Sequence, residues 1–353
     1  MTEDRQKTID DFLKSAGWGA ALRAPLPGDA STRRYIRLER RGAKAILMDQ
    51  PQGAEAPVAP PGATAAERKA LGYNAVARLA GADCGRFVAA ARFLRSLGLS
   101  APEIYAADLE CGLLIIEDLG DALYADVLEK GADAAALYGA AAEVLAEIHA
   151  VPAPAMLKDR PLYAYDETAL LAEVDLLTEW FYPLAFGRPV AADLAEEHRA
   201  LWRAALSPFL AGPRVFVHRD YHAQNLLWLA ERAGAARVGL IDFQDAMAGS
   251  RAYDLVSLTE DARRDVPADL AAATTVRYLA AMRQHGIALD EAAFAAESAA
   301  FAAQRNAKIV GIFARLYKRD GKARYLGYLP RVWSYLSADL EHPTLAALKK
   351  WYD

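Results

Sequence analysis

The chain has 353 residues, a net charge of −5, and 54% hydrophobic against 25% charged residues. That length is about two domains or lobes and can bury a core without staples, and the composition excludes a wholly disordered chain. The acidic balance argues against a dedicated nucleic-acid binder, and two cysteines, Cys84 and Cys111, exclude a disulfide framework or a four-cysteine zinc site.

The opening run MTEDRQKTIDDFLKSAGW lacks the apolar stretch of a signal peptide, and nothing approaches the roughly 20 apolar residues of a membrane span. A cytoplasmic protein is expected. Ile9, Phe12, Leu13 and Ala16 at helical spacing predict a helix over 3–16, closed by Gly17. Residues 35–38 and 45–48 read as a hairpin around Gly42, and the Pro/Ala/Gly-rich run 50–66 as a loop. A helix over 87–97 and strands at 103–106 and 113–116 complete a small antiparallel block. After Glu117-Asp118-Leu119-Gly120 helical periodicity takes over, at 133–149, 168–186, 192–210, 268–285, 291–317 and 322–338. A β island, 215–217, 226–229 and 238–241, interrupts it.

The densest chemistry is His218-Arg219-Asp220-Tyr221-His222-Ala223-Gln224-Asn225, between two predicted strands. A loop so placed can offer a carboxylate to an acceptor hydroxyl and, five residues on, an amide oxygen to Mg²⁺. Asp242 ends a predicted strand 22 residues after Asp220, where a carboxylate suits metal ions bridging nucleotide phosphates. Singly, such residues are turn formers or caps. Together, in flanking strands and after a small β block, they read as a site.

The octapeptide matches H-R-D-x-x-x-x-N, the catalytic loop of protein-kinase-type phosphotransferases. The chain resembles the aminoglycoside phosphotransferase and choline kinase family. Residues 249–255, Gly-Ser-Arg-Ala-Tyr-Asp-Leu, resemble that family's G-x-x-x-Y-D-L segment, and 117–120 its hinge, where backbone groups meet adenine. Gln244 replaces the glycine of a protein kinase's D-F-G and a helix follows almost at once, so the acceptor is expected to be a small molecule. A nearer resemblance is to the bacterial N-acetylmuramate/N-acetylglucosamine anomeric kinases. It rests on Gly28-Asp29-Ala30-Ser31-Thr32-Arg33-Arg34-Tyr35, Leu47-Met48-Asp49, residues 242–255, Gly311-Ile312-Phe313-Ala314-Arg315-Leu316 and Arg319-Asp320-Gly321-Lys322. It implies transfer of phosphate from ATP to the C1 hydroxyl of a free amino sugar in cell-wall (peptidoglycan) recycling.

The resemblance implies an α+β, protein-kinase-like two-lobe fold. Residues 1–117 are expected as a small antiparallel-sheet nucleotide-binding lobe and 118–353 as a larger helical catalytic and substrate lobe. It implies Asp220 as the catalytic carboxylate and Asn225 and Asp242 as Mg²⁺ ligands. Ser31, Thr32, Arg33, Arg34, Glu117 and Leu119 are expected on ATP, and His222, Trp180 and Arg305 on the amino-sugar acceptor. No nucleic acid, membrane or obligate protein partner is expected. One departure stands out: Met48 occupies the place of the V-A-I-K lysine, and no glutamate in 87–97 is placed to pair with one. Arg33, Arg34 and Lys44 are the candidate replacements, against a solvated reading of each. His218 reads as architectural. Asp254 either holds the catalytic loop or caps a helix. Trp180-Phe181-Tyr182 reads as core or as a stacking face for a sugar. The run Gln304-Arg305-Asn306-Ala307-Lys308 with Arg315, Lys318 and Arg319 reads by default as a solvated basic face, or else turns Arg305 or Arg315 toward an acceptor carboxylate. Two rival readings are a kinase of another small alcohol, such as choline or an aminoglycoside, and a non-catalytic nucleotide-binding module. The missing lysine suggests the second, and the intact Asp220, Asn225 and Asp242 oppose it.

Overall fold

A computed structural model, describing residues 3–27, 32–51, 53 and 55–353, turns the opening run into α1 (Glu3–Ser15). Strands β1 (Leu22–Pro25), β2 (Arg34–Arg40) and β3 (Ala43–Asp49) follow, then α2 (Ala65–Leu71), α3 (Tyr73–Val76) and α4 (Cys84–Ser96), then β4 (Ile104–Asp108) and β5 (Leu113–Glu117). The five strands form one antiparallel sheet in the order β1-β2-β3-β5-β4. The expected hairpin pairs Tyr35 with Met48 and Arg34 with Asp49. Ile9, Leu13 and Trp18 pack with Leu38, Ala45, Leu47, Leu113 and Ile115, so α1 covers one face of the sheet. Ile46, Met48, Leu114 and Ile116 on the opposite face are also buried. A strand buried on both faces needs no polar alternation, which is why these runs are continuously apolar. Helix α2 starts at Ala65, inside the predicted loop, where Thr64 and Glu67 form a capping box.

Beyond the sheet come α5 (Tyr124–Glu129), α6 (Ala134–His149), the short pair β6 (Met156–Leu157) and β7 (Arg160–Pro161), and α7 (Glu167–Leu176). A π-helical turn, Leu177–Phe181, joins α7 to α8 (Tyr182–Phe186), so the single helix expected over 168–186 carries a wide turn inside it. After α9 (Ala192–Leu206) come β8 (Val215–Val217), β9 (Leu226–Trp228), β10 (Val238–Leu240) and β11 (Met247–Gly249). The last helices are α10 (Ala252–Thr259), α11 (Ala268–Gln284), α12 (Glu291–Asp320), α13 (Leu329–Asp339) and α14 (Ala346–Tyr352). Helix α12 is capped by Gly321 in the left-handed conformation, which separates it from α13.

Two compact units result: Met1–Ala122 with Met156–Pro161 and Leu226–Asp245, and Leu123–Ala155 with Leu162–Asn225 and Ala246–Asp353. The first therefore takes in the β9–β10 hairpin, which a single cut at 117/118 assigns to the second part. In that unit Ser100 bridges to Gly239 and its Oγ donates to the Ala236 carbonyl at 2.6 Å, tying the hairpin to the segment ahead of β4. In the second unit, α12 packs on α7, α10 and α13. A Cβ on Gly311 would sit 2.6 Å from Leu176 Cβ, so only glycine lets α12 come this close to the end of α7. No helix among the described residues is long and apolar enough to cross a membrane.

Candidate active site

Strand β8 pairs with β11 and is fully buried; the chain then breaks into the loop 218–225. The break is enforced from α10. Asp254 Oδ2 accepts the His218 N–H at 2.6 Å and Oδ1 the Arg219 N–H at 2.9 Å. Asp254 thus holds the loop, one of its two expected roles. Burial raises its carboxyl, the two N–H groups oppose this and Asp220 adds to it, leaving a value of about 7. Arg219 takes a left-handed φ of 76°, rare for a side chain with a Cβ. Its guanidinium, in a residue 3% exposed, pairs with Glu173 and lies 4.9 Å from the Tyr165 ring centroid. His218 is buried edge-on against Tyr221, whose hydroxyl donates to the Ala141 carbonyl, which fits its architectural reading.

This scaffold leaves Asp220 half-buried at the head of a tight turn. The His222 N–H donates to the Asp220 carbonyl at 3.1 Å, and Asn225 Nδ2 donates to the same carbonyl at 2.9 Å. That second bond orients the amide, committing Nδ2 to protein and leaving Oδ1 as the acceptor atom. Burial disfavours the Asp220 carboxylate, but Lys308, His222, Arg219 and Arg305 together overcome it and lower the group to about 2.

Beneath the loop lies a charge cluster. Glu173 on α7, fully buried, accepts from Arg219, from the Tyr165 hydroxyl and from Gln304 Nε2 at 3.0 Å, and lies 3.4 Å from Lys308 Nζ. Lys308 also donates to the Tyr253 hydroxyl at 2.9 Å. Burial opposes both charges, yet Lys308 and Arg219 hold Glu173 below its ordinary value, and Glu173 with Tyr253 holds Lys308 above its own. Gln304, Arg305, Asn306 and Lys308 are all buried, so the solvated basic face expected here is not one; only Lys318 and Arg319 of that run are exposed. The sequence reading passed over Glu173 and misread Lys308. The available signal was position: these residues are embedded in the alanine-rich middle of α12, where Ala302, Ala303 and Ala307 are buried too.

In the first unit, Asp242 follows β10 with a left-handed φ of 64° and a side chain 40% exposed. Arg33 NH1 lies 3.2 Å from its Oδ1, and Gln244 Nε2 donates to the same oxygen at 2.9 Å. Of the three cations considered for the missing lysine, Arg33 is the one beside Asp242. Arg34 pairs at 2.6 Å with Asp49, a fully buried carboxylate that also takes Arg5, and Lys44 is exposed on β3. Strand alternation explains the division: Arg34 lies opposite Asp49 across the hairpin, and its neighbour points the other way. Ser31 lies outside the described residues. Thr32 donates to Glu55 at 2.6 Å. The Glu117 side chain is engaged by Arg95 and Arg232, and Leu119 lies against Gly239 of β10. Phe87 stacks on Phe243 at 4.8 Å, fixing α4 against the segment after Asp242. Trp180 sits half-buried in the π-helical turn, while its neighbour Phe181 packs on Trp333.

Residues 23–291 match the profile of the phosphotransferase enzyme family. The chain belongs to this family. The phosphotransferase is 47% identical over its whole length to a protein of Caulobacter vibrioides named N-acetylmuramate/N-acetylglucosamine kinase, covering 97% of that protein. It is 34% identical to a protein of the same name from Pseudomonas aeruginosa, with 96% of this chain and 91% of the relative aligned. In fold it is similar to the aminoglycoside phosphotransferase APH(2'')-Ib solved with ADP (TM-score 0.57, 15% identity, 95% and 98% of the two chains). It is similar also to a choline kinase from Cryptosporidium parvum (TM-score 0.59, 12% identity, 98% and 99%). Those likenesses bear out the kinase-like α+β fold expected from the motif.

Proposed function

We propose that this phosphotransferase moves the γ-phosphoryl group of ATP to the C1 hydroxyl of N-acetylmuramate or N-acetylglucosamine, in the recycling of cell-wall sugars. The observation that carries the reading is the 47% identity, over the whole of this chain and 97% of the relative, to the Caulobacter vibrioides kinase of that name. Asp220 orients the acceptor hydroxyl and takes its proton. A carboxylate held near 2 is a weak base. It suffices where the transition state is loose and the proton leaves late, and where the acceptor is an anomeric hydroxyl, more acidic than an ordinary alcohol. Asn225 Oδ1 and the Asp242 carboxylate are hard oxygen donors of the kind Mg²⁺ takes, and the orientation of the Asn225 amide suits that use. Bound there, Mg²⁺ would neutralise charge developing on the phosphates. Arg33 supplies a cation where the strand-3 lysine is missing, and Ser31, Thr32, Arg34, Glu117 and Leu119 complete the nucleotide contacts by resemblance. His222 and Trp180 are assigned to the sugar.

The test is a screen of free sugars with ATP and Mg²⁺, with the product phosphate located by ³¹P NMR. A sugar 1-phosphate is expected. A C6 phosphate, or preference for choline or an aminoglycoside, would leave only the phosphotransferase assignment standing.

A further inference from the structure

We propose that Arg263 binds a carboxylate on the acceptor and so sets a preference for the acidic amino sugar over its neutral counterpart. The inference rests on the sugar-kinase reading above and assigns within it a residue that the motifs do not contain.

Arg263 lies in the loop between α10 and α11. Asp261 Oδ1 accepts the Arg263 backbone N–H at 2.9 Å and fixes the turn. The side chain is half-buried, and its NH1 lies 3.3 Å from His222 Nε2. His222 is two residues from Asp220 and its N–H donates to the Asp220 carbonyl, so Arg263 meets the loop that carries the carboxylate proposed to handle the acceptor.

The geometry leaves donors in excess. Asn225 Nδ2 stands 3.5 Å from the same Nε2, and the Gln224 N–H 3.3 Å from Nδ1. An unprotonated imidazole has one ring nitrogen able to accept a hydrogen bond, and a protonated one has none. Whichever nitrogen carries the proton, donors converge on the ring with too few acceptors, and the site calls for an oxyanion. Among the described residues no carboxylate pairs with Arg263, whereas Arg33, Arg34, Arg199 and Arg219 each have one. Arg305, the residue expected in this role from sequence, is 3% exposed and donates to the Glu260 carbonyl at 3.0 Å. It is committed to joining α10 to α12. Arg263, His222 and Asp220 belong to the same unit, and the cation beside Asp242 is supplied separately by Arg33. The anion that suits Arg263 is therefore the acceptor's own carboxylate.

The experiment measures kcat/KM for N-acetylmuramate, its lactyl methyl ester and N-acetylglucosamine, with the KM for ATP, in the natural protein, Arg263→Ala and Arg305→Ala. A charge-assisted contact of this kind corresponds to about 10- to 150-fold. Arg263→Ala is expected to lower the muramate-to-glucosamine ratio by that factor, mainly through KM. It should also abolish the difference between the acid and its ester. Arg305→Ala is expected to depress both sugars alike. An Arg263→Ala protein that keeps the ratio, loses both sugars equally or raises the KM for ATP overturns the proposal, as does loss of the ratio in Arg305→Ala alone. A natural protein that phosphorylates neither sugar at C1 overturns the sugar reading itself, a distinguishable result.

Discussion

Glu173→Gln tests whether the buried charge cluster holds the loop 218–225. The substitution keeps the shape and the acceptor oxygen but removes the carboxylate that lies within ion-pair distance of both Arg219 and Lys308. Both cations are nearly inaccessible, with side chains 3% and 10% exposed, so water cannot replace the lost carboxylate. Removing one partner of a buried pair costs about 3–5 kcal/mol. That is a large part of the roughly 5–15 kcal/mol that keeps an ordinary domain folded. Lys308→Met alone should cost less, since Glu173 retains Arg219, the Tyr165 hydroxyl and Gln304. The double variant should then be more stable than the sum of the singles by about 1–3 kcal/mol, because it never strands a lysine without a counter-charge. Urea denaturation of the four proteins measures the cycle. A Glu173→Gln cost below about 1 kcal/mol, or strict additivity, would show that the cluster is not a buried ion pair in the energetic sense.

Asp220→Asn should remove nearly all turnover while calorimetry finds ATP binding little changed; near-normal kcat would dismiss its role. Glu260 and Asp339, both approached by Asn306 Nδ2, are raised by burial first, and Asp339 further by Glu260. Groups raised on folding contribute stability below the ordinary carboxylate range and lose it as pH climbs through their elevated values. Asp339→Asn should therefore flatten the decline of Tm between about pH 5 and 8, and parallel melting curves for the two proteins would refute this. Gly311→Ala should destabilise by about 1–3 kcal/mol or more through overpacking against Leu176, measured as a fall in denaturation midpoint at unchanged slope.

Much of the architecture was readable from periodicity. The hairpin 34–49 and the long helices of the second unit follow strong apolar spacing, and the loop 218–225 announces itself by residue type. Other features depend on distant partners. The π-helical turn after Leu176 does not interrupt the helical spacing, so 168–186 reads as one helix. The three-residue strand β11 exists because β8 lies beside it. The choice among Arg33, Arg34 and Lys44 turns on strand phase and on the buried Asp49, which only the register reveals. Lys308 and Arg305 in α12 defied the rule that charge faces water, because Glu173 on α7 meets the first and the Glu260 carbonyl the second.

Asp242 and Arg219 hold backbone conformations that side chains bearing a Cβ avoid, at a cost on the order of 1–3 kcal/mol each. Glycine at 242 would relax that backbone and discard the carboxylate in the same step. On the Mg²⁺ role proposed for Asp242, a selection for thermostability alone would favour a well-folded descendant without that ligand, since fitness for folding and fitness for chemistry diverge at this position. Any lineage of the fold released from the need to transfer phosphate has here a single-residue route toward greater stability as a pseudoenzyme.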